Sequence, residues 1–167
     1  MKKLPIAITE DEFAKLIQNT KKTKHRIAFL LGFGAGLRVS EVVNLEPRDI
    51  NTQEKSIFIR QGKGKKDRVV PLPKGFAPKH MKFIPMGVGA RALQYAFRNA
   101  CKKAGLLELK PELHFHSLRH GFATNCVSNG MPIHHIRTLM GHSNISVTNV
   151  YLEVNPVRAL KSYEELF

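Results

Sequence analysis

Residues 55–73, KSIFIRQGKGKKDRVVPLP, set β-branched and aromatic residues on both sides of a turn rich in Gly and Lys and close on Pro71 and Pro73. That pattern predicts a β-hairpin with a basic tip, because Ile, Phe and Val suit a pleated, half-buried surface and glycines permit a tight reversal. The segment HMKFIP, residues 80–85, is expected to add a third strand. Almost everything else carries a helical period. Thr9 followed by Glu12 spells a capping box, and Phe13, Leu16 and Ile17 then recur on one face, so a first helix is expected over 10–19. An apolar helix follows through IAFLLGFGAG, where Gly32, Gly34 and Gly36 weaken the end and allow close packing, and LRVSEVVNL restarts a short helix. Further helices are expected over 88–104, with Gly105 as the stop, and over 116–129, 133–140 and 145–152, separated at Gly130, Pro132 and Gly141. The expected fold class is mainly α with a small antiparallel β-sheet, an α+β domain.

With 167 residues, 43% of them hydrophobic, the chain is long enough for one well-filled core and too short for two full domains, so 1–167 is expected to be a single domain. Lys and Arg number 27 against 13 acids, a formal charge of +14. Such an excess suggests an anionic polymer as partner, nucleic acid first, against the blander alternative of a merely soluble basic surface. Cys101 and Cys126 stand far apart without a CxxC, which argues against a disulfide scaffold. MKKLPIAITEDEF is broken by Pro5 and acids before any long apolar stretch, and the longest apolar run, 27–31, is far too short to span a bilayer. A soluble, intracellular protein is expected.

Chemistry enters with spacing. In HSLRHGFATN, His116 and Arg119 share one helical face, and an arginine fork suits a pair of phosphate oxygens. Arg38 follows a glycine-rich helix end in GAGLRVSEV, and Lys63 sits between Gly62 and Gly64 on the hairpin tip, able to reach a phosphate or donate a proton. Taken singly, each is matched by an exposed polar face or a solvated turn. A metal-dependent nuclease would need clustered carboxylates, whereas the chain has three Asp and its densest acidic run, 10–12, opens a helix. A zinc module drawing on His114, His116 and His120, or on His134 and His135, lacks nearby thiolates. Tyr95 belongs to an apolar helix and Tyr163 to the tail, where packing accounts for them.

Together the elements resemble the tyrosine recombinase (phage integrase) family, most closely its Xer-like branch, over residues 4–155. GLRVSEV carries the family's first arginine at Arg38, GKGKKDRVVPL its hairpin lysine at Lys63, and HSLRHGFAT its HxxR pair at His116 and Arg119. LMGHSNISVTNVY supplies the later histidine, His142, and the nucleophile Tyr151 nine residues on. The resemblance implies the family's catalytic-domain fold and a site-specific DNA recombinase that needs no metal, no ATP and no cofactor. Tyr151 attacks phosphorus to leave a 3′-phosphotyrosyl bond and a free 5′-hydroxyl, which a new strand's 5′-hydroxyl can reverse. Arg38, Arg119 and His142 stabilise the charge, His116 assists as acid/base or phosphate hydrogen-bond partner, and Lys63 protonates the leaving oxygen. Glu41 is expected to orient Arg38, and His120 to lend support.

The other implied features are double-stranded DNA as partner, contacted by Lys21, Lys22, Lys24, Arg26, Lys65, Lys66 and Arg68, and a cytoplasmic, nucleoid-associated location. By the resemblance, the family's N-terminal core-binding domain, half of a clamp around DNA, is expected to be missing from these 167 residues, as an excised catalytic domain or a naturally minimal recombinase would have it. Residues 155–167 carry an apolar stripe, Val157, Leu160, Tyr163 and Phe167, expected to dock in trans in a tetrameric synapse, folding back on its own domain being the simpler alternative. Other readings of the same residues are a non-catalytic DNA-binding or regulatory protein and a type IB topoisomerase-like relaxing enzyme.

Overall fold

The computed structural model describes residues 5–61, 66–141 and 156–167, with side chains in the last stretch from residue 159. Thr9 Oγ1 accepts the Glu12 N–H at 3.2 Å while the Glu12 carboxylate accepts the Thr9 N–H at 2.9 Å, so the expected capping box opens helix α1, Glu10–Gln18. Helix α2, Thr23–Ala35, is apolar nearly all round and runs through the middle of the domain, with Ala28, Phe29, Leu31 and Ala35 fully buried. Phe29 meets Phe97 and Phe115 edge-on at 5.5 and 6.2 Å, which fixes α2 between helix α4, Ala90–Lys103, and the start of helix α6, His116–Ser128. Between α2 and the sheet lies the short helix α3, Val39–Asn44.

Strands β1, Ile50–Asn51, β2, Ser56–Ile59, and β3, Arg68–Pro71, form an antiparallel sheet in that order, with Ile57 opposite Val70 and Phe58 opposite Val69. The hairpin is as expected, but the third strand is β1 and not residues 80–85. That region begins a tight 3-10 turn, Pro78–Phe83, because Pro78 has a φ preset for a helical first turn and the His80 ring accepts the Ala77 N–H at 3.0 Å. Helix α5, Leu106–Leu109, was not foreseen; Gly105 turns into it with φ +73°. Helix α7, Ile133–Met140, ends as expected, and the helix expected over 145–152 lies outside the described residues.

Helix α8, Pro156–Leu166, rests on α7 and β3 of its own domain. It completes a second apolar cluster in which Ala159 and Tyr163 join Phe122, Cys126, Ile136 and Leu139. The Tyr163 ring lies 6.3 Å from Phe122 and 4.7 Å from Phe167, and its hydroxyl donates to the Gly34 carbonyl at 3.2 Å. Ser162 Oγ stands 2.6 Å from His135 Nδ1. The tail expected on a neighbouring copy is therefore seated, in the single chain, on its own domain. Among the described residues no helix is long and apolar enough to cross a membrane.

Tyr163→Ala is expected to destabilise the domain by about 3 kcal/mol, the cost of emptying a buried aromatic site. Tyr95→Ala, at a ring 75% exposed, is the control and should leave the denaturant midpoint unchanged. Equal midpoints for the two variants in a guanidinium titration would mean that α8 is not seated on this core in solution.

Candidate active site

Helix α6 turns one face to the core through Leu118, Gly121 and Phe122, and the same geometry carries Arg119 inward until only 1% of it is exposed. Its guanidinium does not end on a carboxylate. Nη1 donates to the Gly36 carbonyl at 2.7 Å, and Nη2 donates to the Met140 carbonyl. Both acceptors are set by left-handed glycines. Gly36 closes α2 with φ +68°, and a Cβ there would stand 2.7 Å from the Phe122 ring, so no larger residue fits the turn that aims this carbonyl. Gly141, φ +63°, closes α7 directly after Met140.

Glu41, on α3, is the carboxylate of the cluster. It accepts the Arg38 backbone N–H at 2.8 Å, Gln61 Nε2 at 2.8 Å and a bidentate fork from Arg68 at 2.5 and 2.9 Å. It also lies 3.6 Å from Arg38 Nη1 and 4.0 Å from Arg119 Nη1. Burial pushes its carboxyl upward, but the Arg68 hydrogen bonds and charge, with the Arg38 N–H and Gln61, outweigh that and hold it down at about 2. Three guanidiniums thus surround one carboxylate. The excess shows on Arg119, which burial, then Arg38 and Arg68, pull down to about 9 against the opposing pull of Glu41, and which stays charged at neutral pH. Arg38 has 35% of its side chain exposed, against 1% for Arg119, and so is the more open of these two arginines.

His116 opens α6 half-buried, its ring 4.7 Å edge-on from His120 and 6.2 Å from His114. Burial, then the positive fields of His120, Arg119, His114 and Arg38, lower its pKa to about 4, so it is a neutral imidazole at pH 7. His120 is lowered too, by burial and then by His114 and Arg119. The structure therefore brings together Arg38, Arg119, His116, Glu41 and His120. Lys63, Lys65, His142 and Tyr151 lie outside the described residues. Among the described residues no group of three or more His, Cys, Asp or Glu side chains is placed to hold a metal ion.

Of the expected DNA contacts, Lys21, Lys22, Arg26 and Lys66 are exposed and Lys24 half-exposed. Arg68 departs from expectation. It is 6% exposed and spent on Glu41 and on the Leu139 carbonyl, which accepts its Nε–H at 2.8 Å, so it does not face solvent. The sequence reading also passed over the outer face of α4, where Arg91, Tyr95 and Lys102 are exposed on one stripe with Arg98. The signal was available as basic residues at helical spacing opposite Leu93, Phe97 and Ala100.

A family model, the phage integrase family, matches residues 7–84 and 87–158. Tyrosine recombinase XerA of Thermococcus kodakarensis is 35% identical over an alignment covering 97% of this chain and 63% of that one. The solved structure of XerA recombinase matches with a TM-score of 0.69 at 26% identity, covering 99% of this chain and 66% of that one. A lambda integrase tetramer bound to a Holliday junction matches with a TM-score of 0.65 at 18% identity, over 88% of this chain and 50% of that one, and so shares the fold. The chain spans a little under two thirds of the length of the XerA relatives it matches.

Glu41 and His116 leave marks of the same sign on acid stability, in successive windows of pH. For Glu41 the folded pKa lies below the unfolded one, so its contribution is complete above about 4.5 and disappears as pH falls towards about 2. For His116 the unfolded chain takes the proton first, so stability declines as pH falls from about 6.5 to about 4. Glu41→Gln should flatten the lower limb of a pH series of unfolding midpoints, and His116→Gln the upper one. NMR titration of the His116 ring should give a midpoint near 4; an ordinary value would show that the ring is not held beside the cationic cluster.

Proposed function

Because the chain belongs to the phage integrase family of tyrosine recombinases, an enzyme class that breaks and rejoins DNA, we propose that it cuts and reseals DNA strands through a tyrosyl ester. The strongest support is the cluster itself, with three guanidiniums around one carboxylate and a neutral imidazole beside them. Such a surplus of fixed positive charge suits the oxygens of a phosphodiester, whose charge rises in the transition state. Arg38 and Arg119, with His142 as a further donor, stabilise that charge. The Tyr151 oxygen forms a bond to phosphorus as the bond from phosphorus to the 5′-oxygen breaks, and Lys63 gives the leaving oxygen its proton. The proton that the Tyr151 hydroxyl releases passes to the uncharged His116 imidazole or to solvent, and His116 otherwise serves as a hydrogen-bond partner of the phosphate. Energy is retained in the ester, and attack by another 5′-hydroxyl restores the tyrosine and a joined strand.

Phosphate contacts fall to Lys21, Lys22, Lys24, Arg26, Lys65 and Lys66, joined by the basic outer face of α4. Such contacts position DNA and carry little base information. Self-association on DNA, as four copies in a synapse, completes the proposal, with DNA-bearing cytoplasm as its setting. Docking of α8 in trans then means giving up its seat on α7 and β3 for the same seat on a neighbour.

Tyr151→Phe is expected to retain DNA affinity and to lose the covalent adduct with a nicked suicide duplex, in which the cut-off fragment diffuses away. Adduct formation should persist in EDTA, since the charge stabilisers are side chains. An adduct undiminished in Tyr151→Phe, or abolished by chelator and restored by magnesium, would overturn the mechanism. Affinity should fall steeply with salt, and Ala at Lys21, Lys22 and Arg26 together should reduce the slope of log K against log salt by about 2 to 3. An unchanged slope would place DNA elsewhere.

A further inference from the structure

Arg68 is a buried guanidinium that the cleavage scheme does not use. Its side chain is 5% exposed and its guanidinium is engaged within the protein. Its hydrogen bonds run inward: the fork to Glu41 at 2.5 and 2.9 Å, and Nε to the Leu139 carbonyl at 2.8 Å. The last turn of α7 is closed tightly on it. At Gly141 a Cβ would stand 2.8 Å from Arg68 Cδ and 3.3 Å from Nε, so glycine is needed there for space as well as for its φ of +63°.

One side chain therefore ties three elements. It leaves β3 at its first residue, opposite Ile59 on β2; it grips α3 through Glu41; and it grips the end of α7 through Leu139. Each grip lies one bond away from a proposed phosphate ligand. Glu41 holds the Arg38 N–H, and the next carbonyl after Leu139, that of Met140, receives Arg119. The same turn is also where the backbone leaves for residue 142.

We propose that Arg68 is a positioning residue for strand cleavage, setting Arg38 through Glu41 and the end of α7 through the Leu139 carbonyl, so that the groups facing the phosphate share one rigid frame. The role rests on the recombinase reading. Arginine is required because two parallel N–H bonds to a carboxylate and a third to a carbonyl match the guanidinium fork, and an ammonium cannot make all three in fixed directions. A frame of this kind matters to rate more than to binding, since misplacement by about 1 Å is enough to slow a reaction on the order of 100-fold.

The test uses Arg68→Lys in the full chain, with unfolding midpoint, DNA affinity and single-turnover cleavage at saturating suicide duplex measured together. The duplex is made in two forms, one ordinary and one with sulfur replacing the bridging 5′-oxygen, so that departure needs no proton. Affinity is expected within about threefold of the parent and cleavage about 100-fold slower on both duplexes. Lys63→Ala, by contrast, should recover on the sulfur duplex. Cleavage at saturating DNA within about threefold of the parent, or a loss fully restored by sulfur, overturns the positioning role. If Arg68→Lys does not fold, Gly141→Asn tests the same contact from the other side, because Asn tolerates the left-handed backbone and presses its Cβ on Arg68. That variant should show the same separation of rate from affinity, and normal cleavage by it overturns the proposal. A parent that forms no adduct with either duplex instead overturns the recombinase reading, before any variant is compared.

Discussion

The carboxylate of Glu41 is what allows three arginines to occupy one small region. It sits 9% exposed between the sheet and α3, and its oxygens are shared by the Arg68 fork, the Arg38 N–H and Gln61. A buried ion pair of this kind gives little net stability, because both charges lose water, but removing one partner strands the other at a cost of about 3–5 kcal/mol. The pair therefore specifies geometry more than it holds the fold together. Here it also limits repulsion among Arg38, Arg68 and Arg119 without cancelling their charge, and the remainder is what an anion would find.

The position of this cluster follows from the way the domain divides. One apolar cluster surrounds α2 and includes Leu118; a second, built from the later part of α6 with α7 and α8, begins at Phe122. Helix α6 crosses from one to the other, and Arg119 lies on it between Leu118 and Phe122. Its two carbonyl partners come one from each side, Gly36 at the end of α2 and Met140 at the end of α7. The functional groups thus gather where two packed bodies meet, held by both and buried in neither core.

Much of this was legible in the residues alone. Periodicity and end signals located α1, α4, α6 and α7, and the alternating segment located the hairpin, because these depend on neighbours three or four places away. The failures share a cause. Arg68 looks like one more cation on a basic tip, and nothing local tells of Glu41, 27 residues back, or Leu139, 71 residues on. The stripe on α8 was readable, but the surface that receives it is made of Phe122, Ile136 and Leu139 and exists only after folding. Residues 80–85 carry strand-forming types, yet the 3-10 turn begun at Pro78 leaves them no partner strand.

The hydrogen bonds of Arg119 run to two helix ends, while the Glu41 carboxylate stands 4.0 Å away. Carbonyls at a helix C-terminus carry only a fraction of a unit charge, and they neither gain nor lose a proton over the biological range of pH. A cation held this way is desolvated and aimed but left electrically unspent. The residues responsible have no side chains at all: Gly36 and Gly141, each turned left-handed just where a helix stops. By shape alone these two glycines belong to the apparatus that makes the pocket attractive to an anion, and the field they help to create is one that acidity does not switch off.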